Sequence, residues 1–454
     1  MSRDEPPGAR FFGHPTGLAY LAFTEAWERF SFSGMQALLV LYMVAQLLTP
    51  GHVEHVVGFA TTRTVLETVY GPLAPQPLSS AIFGLYTGLV FFAPVFGGYL
   101  GDRWFGQHAM VMAGAVLMAL GHLLMALESA FLLALLLLIL GAGCLKGNIS
   151  KQVDGLYRDG DRRRTEGFQI FSMAINTGVI AAPLVCGTLG ELYGWHYGFG
   201  AAGIGMMIGL GIYMAGKRHL PPDNLEIART AGPVLPADRR VLGVLAVVFV
   251  VTCCFLVAAG QLGNAYTLWL LDHADRQIGG LTIPVTWFQA LTPLFSVLLT
   301  PLVVRRWRTL ADKGREPGLF AKMAIGLAMA GAGLLLLAPL SHLGHVPWWA
   351  VLPTHVLVCL AYVMVYPVGL ALFSQVAPAG ARAMYIGIFF ITSFVASNLV
   401  GFLGGYYTTM PQSLFWSLHG ALALAGALLA LVAIPASRSV LDMRRPLPGA
   451  PADA

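Results

Sequence analysis

The chain has 454 residues, of which 57% are hydrophobic and only 11% charged, with a formal net charge of +5. A soluble domain carries about 25% charged residues, so a mainly water-facing surface is excluded and most of the surface must face lipid. The basic residues sit at loop ends rather than in one stripe, which argues against a nucleic-acid footprint.

The amino-terminal stretch MSRDEPPGARFFGHP carries Arg3 and Arg10 but no short apolar core followed by a small-residue cleavage site. No removable signal peptide is expected there, and the first apolar run should be an uncleaved span. Apolar runs predict spans near 17–48, 79–101, 107–127, 130–150, 166–190 and 197–216. A second set is predicted near 240–272, 283–307, 319–340, 348–376, 382–405 and 412–435. The external segment from Thr49 to about Leu78 is expected to form a partly ordered cap. Near mid-chain, only Lys217 to Arg240 is polar, with KRHLPPDN and RTAGPVLPADRR. It divides the chain into residues 1–216, a cytoplasmic linker at 217–240, and residues 241–454. Six spans on each side of a linker is a common build of rocking transporters. Cys144, Cys186, Cys253, Cys254 and Cys359 all lie in apolar runs and read as packing residues, not as a disulfide or metal framework.

With both termini inside, all but four of the 27 Lys and Arg residues fall in inner segments. Arg63 and Arg276 are outside, and Arg29 and Lys146 lie within spans. This bias places both termini in the cytoplasm of a cytoplasmic (inner) cell membrane.

A charge in a bilayer costs at least ~2.5–3.5 kcal/mol on insertion scales, so each intramembrane charge is a functional candidate. Among the acids only Glu25 and Glu28 fall well inside a predicted span. With Arg29 they form EAWERF on the first span, where spacings of three and four share a face. Lys146, in LKGNIS on the fourth span, completes two acids and two bases. Two readings stay open: an inert buried ion network, and a proton site coupled to an anion site. A buried carboxyl beside an Arg is pulled both ways between its neutral and charged forms, as proton loading and release require. His122 and His355 also lie in spans and are not assigned as proton carriers, although His355 can share a face with Tyr362. Asn176, Gln261, Gln289, Thr292 and Asn398 are intramembrane polar groups suited to hydrogen bonding between helices or to lining a cavity.

These strings carry a resemblance. Glu25-x-x-Glu28-Arg29-Phe30 is followed by Gly34 and by GGYLGDRWFG at Gly97–Gly106. LKGNIS stands at Leu145–Ser150 and FSMAINTGVIAAPLVCG at Phe171–Gly187. WFQALTPLF stands at Trp287–Phe295, PVGLALFSQVAP at Pro367–Pro378, and SNLVG at Ser397–Gly401. In this order the chain resembles the proton-coupled oligopeptide transporters of the major facilitator superfamily, over nearly its whole length. The resemblance implies an all-α membrane protein whose twelve helices form two six-helix bundles, with a central cavity and alternating access. It implies that Glu25 and Glu28 carry protons and that Arg29 and Lys146 meet a substrate carboxylate. Asn176 would bind the peptide backbone, and Asp102 and Arg103 would gate the inner side. Departures from the family pattern fall at Gln36, Gly260, Tyr362, Thr292, Phe32, Ser33 and Phe91. Gln36 and Gly260 stand where the family has a paired Arg and acid, and Tyr362 stands where it has the acid that receives an amino terminus. Phe32 and Phe91 stand in place of tyrosines and are expected near that end of the pocket, making it more apolar. A free ammonium in a dry pocket needs a partner, so ordinary zwitterionic peptides are not expected to be the best substrate.

The sequence therefore predicts a proton-coupled symporter of di- and tripeptides or peptide-like carboxylates. The alternative is a transporter of the same fold for another anionic or amphipathic solute, an exporter included. The expected substrate-binding set is Arg29, Lys146, Asn176, Tyr362, Gln36, Phe32, Phe91, Gln289 and Thr292. No enzyme activity and no cofactor are expected, protons being the coupling ion. The partners expected are the small-molecule substrate and membrane lipid, with no nucleic acid, and the chain is expected to be a monomer.

Overall fold

The computed structural model describes residues 10–158, 161–223, 239–376 and 382–435. Twelve helices among them are long and apolar enough to cross a membrane: Thr16–Leu47, Pro75–Phe105, Gln107–Leu124, Glu128–Gly155, Arg163–Tyr193, Trp195–His219, Arg239–Gly263, Val285–Asp312, Leu319–Leu340, Trp348–Gln375, Tyr385–Thr408 and Gln412–Val432. They are numbered here as the first to twelfth spans. The fold is all-α and multi-pass. Leu133, Leu136, Leu140, Leu428 and Leu431 keep their side chains on the outside of the helices, the arrangement of a protein whose solvent is hydrocarbon.

Glycines set the closest helix approaches. A Cβ on Gly97 of the second span would meet the Gly143 carbonyl of the fourth at 1.9 Å. A Cβ on Gly84 would meet the Ser397 carbonyl at 2.5 Å and the Gly401 backbone at 2.8 Å. Small residues let helix backbones touch where no hydrophobic force drives them together. The pair Gly84 and Gly401 thereby joins the first six spans to the last six.

Most predicted boundaries lie within a few residues of the helix ends, with two corrections. The run predicted as 240–272 is not one helix. It is helical to Gly260, turns through Gln261–Gly263, and resumes at Ala265–His273. Asn264 at the break receives a hydrogen bond from Ser80 Oγ (3.0 Å) and donates to Gln261 Oε1 (3.2 Å), so side chains replace the interrupted ladder. The external segment is more ordered than a cap: it contains the helix Phe59–Tyr70, with Phe59 and Leu66 buried, and the second span starts already at Pro75. Residues 224–238 of the linker and Arg3, Arg438, Arg444 and Arg445 lie outside the described residues.

At the end carrying this external helix, the loop end, the two sets of six spans are bonded together. Gln76 Nε2 donates to the Gly404 carbonyl (3.0 Å) and Thr408 Oγ1 donates to Gln76 Oε1 (3.1 Å). Glu191 accepts from the Val285 and Thr286 amides (2.8 and 2.9 Å) and from Thr286 Oγ1 (2.7 Å). Trp287 Nε1 donates to Thr188 Oγ1 (2.8 Å). Along the whole of Leu291–Asp312 in the eighth span only Val303 is buried. The two sets of spans are closed against each other at the loop end.

Candidate functional site

The charged group on the first span assembles as helical geometry requires. Arg29 Nε stands 3.0 Å from Glu25 Oε1 and 2.5 Å from Glu28 Oε2. Glu28 is fully buried and Glu25 is 4% exposed. The fifth span closes over this turn through Gly178, where a Cβ would meet the Ala26 carbonyl at 2.1 Å. Lys146 lies within the electrostatic reach of Arg29, Glu28 and Glu25, yet among the described residues its ammonium forms no ion pair. It rests instead 4.2 Å from the ring centre of Phe32 and 5.5 Å from that of Phe91. A cation–π contact contributes ~0.5–2 kcal/mol, less than a desolvated ammonium needs, so the two rings alone do not offset the burial of Lys146.

A cavity of about 320 Å³ lies between the two sets of spans. Gln36, Thr87 and Phe91 come from the first and second spans. The rest of the wall is Phe83, Leu256, Ala259, Gly260, Leu262, Gly263, Gln289, Thr292, His355, Val358, Tyr362, Tyr366, Ser393, Ala396, Ser397 and Val400. The lining contains no Asp, Glu, Lys or Arg. Gln36 and Gly260 share this wall, and no charge stands at either position. Tyr362 is 43% exposed, toward the cavity, and stacks on Tyr366 at 5.6 Å. His355 is buried, with Nε2 3.0 Å from Tyr266 Oη and Nδ1 2.9 Å from Thr292 Oγ1. Gln289 Nε2 donates to the Ala37 carbonyl (3.3 Å).

Of the expected substrate residues, Gln36, Phe91, Gln289, Thr292 and Tyr362 thus converge on one cavity. Arg29, Lys146, Phe32 and Asn176 do not line it. Phe32 is not beside Tyr362; it packs beneath Lys146, because the first span turns that ring toward the fourth span. Asn176 donates to the Ser172 carbonyl of its own helix (2.9 Å), as does Asn398 to Phe394 (2.8 Å). Gln261 does bridge helices, donating to the Val400 carbonyl (3.0 Å).

Asp102 and Arg103 lie in a π-helical turn, Gly101–Phe105, that ends the second span; such widened turns are frequent at functional sites. Asp102 pairs with Lys151 on the fourth span at 2.5 Å, whereas Arg103 donates to Tyr99 Oη (2.9 Å) and lies over its ring. Lys151 and Glu191 are partners that sequence reasoning missed. Hydropathy places them at span ends, but nothing in the sequence tells which helix end each will face. The five cysteines are free thiols.

A family model described as the POT family matches residues 108–235 and 226–419. The peptide transporter YePEPT of Yersinia enterocolitica is 31% identical over 96% of this chain and 97% of its own length. A di-/tripeptide transporter of Lactococcus lactis is 28% identical, covering 96% of this chain and 98% of its own. Among solved structures, the peptide transporter POT in complex with sulfate aligns with TM-score 0.83 at 28% identity, over 96% of this chain and 97% of that one. A mutant of it in complex with alafosfalin aligns with TM-score 0.84 at 28% identity, over 97% and 98%.

Proposed function

The chain belongs to the POT family of transporters, and from that membership we propose that it is a proton-coupled symporter of small peptides or peptide-like carboxylates. The observation that carries this reading is the buried Glu25–Arg29–Glu28 cluster with the acid-free Lys146 beside it. Glu25 and Glu28 load and release protons. Arg29 and Lys146 receive the carboxylate of the solute, and Asn176 reaches its backbone when the cavity rearranges. A solute carboxylate arriving at Lys146 adds negative charge near Arg29 and so competes with the two glutamates for its cation, which links anion binding to proton uptake. The names of the Yersinia and Lactococcus relatives, a peptide and a di-/tripeptide transporter, support the substrate class.

Residues 1–216 and 241–454 act as two bundles rocking about the cavity, joined by the 217–240 linker. The basic residues concentrate at the end opposite the external helix, which supports a cytoplasmic position for that end and for both termini in an inner membrane. The closed loop end is then the outer end, with Glu191 and Thr188 among the outer closures and the Asp102–Lys151 pair, flanked by Arg103, at the inner gate. The protein works as a monomer, without a cofactor and without catalysis. The test is uptake into proteoliposomes. The intact chain should concentrate a labelled dipeptide or N-acyl dipeptide when an inside-alkaline proton gradient is imposed. Uptake that ignores the gradient for every carboxylate tried defeats the symport reading.

A further inference from the structure

We propose that Thr292, oriented by His355, forms a neutral hydrogen-bonding subsite for the end of the substrate remote from its carboxylate, and that this end bears an amide, acyl or hydroxyl group and not an ammonium. This deepens the transport reading and rests on it only for the existence of a carboxylate at the other end. The chemistry of the subsite comes from the cavity wall itself.

Both ring nitrogens of His355 are engaged, Nε2 with Tyr266 Oη at 3.0 Å and Nδ1 with Thr292 Oγ1 at 2.9 Å. The imidazole is thereby fixed between the short helix that follows the seventh span and the eighth span. Tyr266 is fully buried, so its hydroxyl offers nothing to the cavity. Thr292 lines the cavity and is the outlet of this relay. A threonine hydroxyl has one donor and two acceptor positions, and His355 occupies one of them. When Nδ1 carries the proton, Thr292 keeps its own O–H for a ligand carbonyl. When Nδ1 accepts, Thr292 presents lone pairs to a ligand N–H or O–H. The relay therefore suits a group that is polar, neutral and able to donate or accept.

An ammonium fits poorly. Its desolvation must be offset by a negative charge, and the lining contains none. The buried carboxylates of the first span are already held by Arg29. The neighbouring polar groups, Gln36 and Gln289, are neutral amides, and the stacked Tyr362 and Tyr366 offer an apolar face to an acyl group.

The experiment measures binding without a gradient, on the purified full chain in detergent by titration calorimetry. The ligands are alanyl-alanine and N-acetyl-alanyl-alanine, and the variants are Thr292→Val and Thr292→Ser. The intact chain should bind the N-acetyl ligand at least as tightly as the free dipeptide. Thr292→Val, nearly isosteric, should weaken the N-acetyl ligand at least fivefold more than the free dipeptide, and Thr292→Ser should restore it to within twofold. Tighter binding of the free dipeptide by the intact chain, a smaller or unselective loss in Thr292→Val, or no rescue by Ser overturns the inference. Absent proton-driven uptake with this selectivity intact defeats the symport reading alone.

Discussion

Glu25, Glu28, Arg29 and Lys146 gather four ionisable side chains on the first and fourth spans. The second six spans line the cavity with hydroxyls, one amide, one histidine and no carboxylate. The contrast separates two tasks. On the proposed reading, charge that changes during a cycle sits where one cation, Arg29, meets two acids. Recognition that must tolerate many solutes sits where neutral groups impose direction without fixing charge. Gln36 and Gly260 mark the border: both line the cavity, and neither brings a charge that would need a partner across it. Removing one member of a buried pair strands the other, so a neutral border is stable only when both sides are neutral.

The largest expected break in this comparison is Arg29→Ala, which leaves Glu25 and Glu28 buried together without their cation. Loss of one partner of a buried ion pair costs about 3–5 kcal/mol, and thermal unfolding in detergent should register it. Combining it with Glu28→Gln should recover part of the loss. An Arg29→Ala chain as stable as the parent would mean that the cluster is not held by that cation.

Lys146→Ala comes next. Its ammonium has aromatic faces but no acid, so a bound carboxylate should lose at least tenfold in affinity. The matching ester or amide should lose less than threefold. Equal losses for the two would assign Lys146 to packing and erase the anion half of the comparison.

A smaller effect is expected at Glu191, which holds the loop-end closure through two amides and a hydroxyl. Hydrogen bonds to a charged acceptor contribute roughly 1.5–3 kcal/mol, so Glu191→Ala should shift the closed–open balance by about tenfold or more toward opening at that end. Spin-label distances across the loop end would report it. An unchanged distance distribution would show that the Gln76–Gly404, Thr408–Gln76 and Trp287–Thr188 bonds and the Gly84–Gly401 contact hold that end closed without Glu191.

How much of this was legible from residues follows from what hydropathy measures. It reports depth, so the twelve spans and the isolated acids Glu25 and Glu28 stand out in an otherwise apolar run. Partners come from other helices and leave no local trace. Lys146 could be read as a buried cation, but not as one resting on Phe32. Glu191 could be read as an acid at a span end, but not as the cap of the turn at Val285. His355 was visible as a polar residue, and its link to Thr292 and Tyr266 was not. The break at Gln261–Asn264 was hidden by the apolar runs on both sides of it: Gly260, Gln261, Gly263 and Asn264 are polar or helix-weakening, but only the bond from Ser80 on another span shows that the chain breaks there. The helix Phe59–Tyr70 was masked by its low apolar content and flanking glycines.

The most direct test of the division of labour is the steady-state accumulation ratio of a labelled N-acyl dipeptide in proteoliposomes under a fixed proton gradient. It compares the intact chain, the Glu25→Gln/Glu28→Gln double variant, and Thr292→Val. Coupling sets the ratio, whereas affinity sets only the concentration at which uptake saturates. The account predicts that the double variant falls to simple equilibration, while Thr292→Val keeps the parent's ratio with a raised half-saturation concentration. Continued accumulation by the double variant, or loss of the ratio in Thr292→Val, would contradict it.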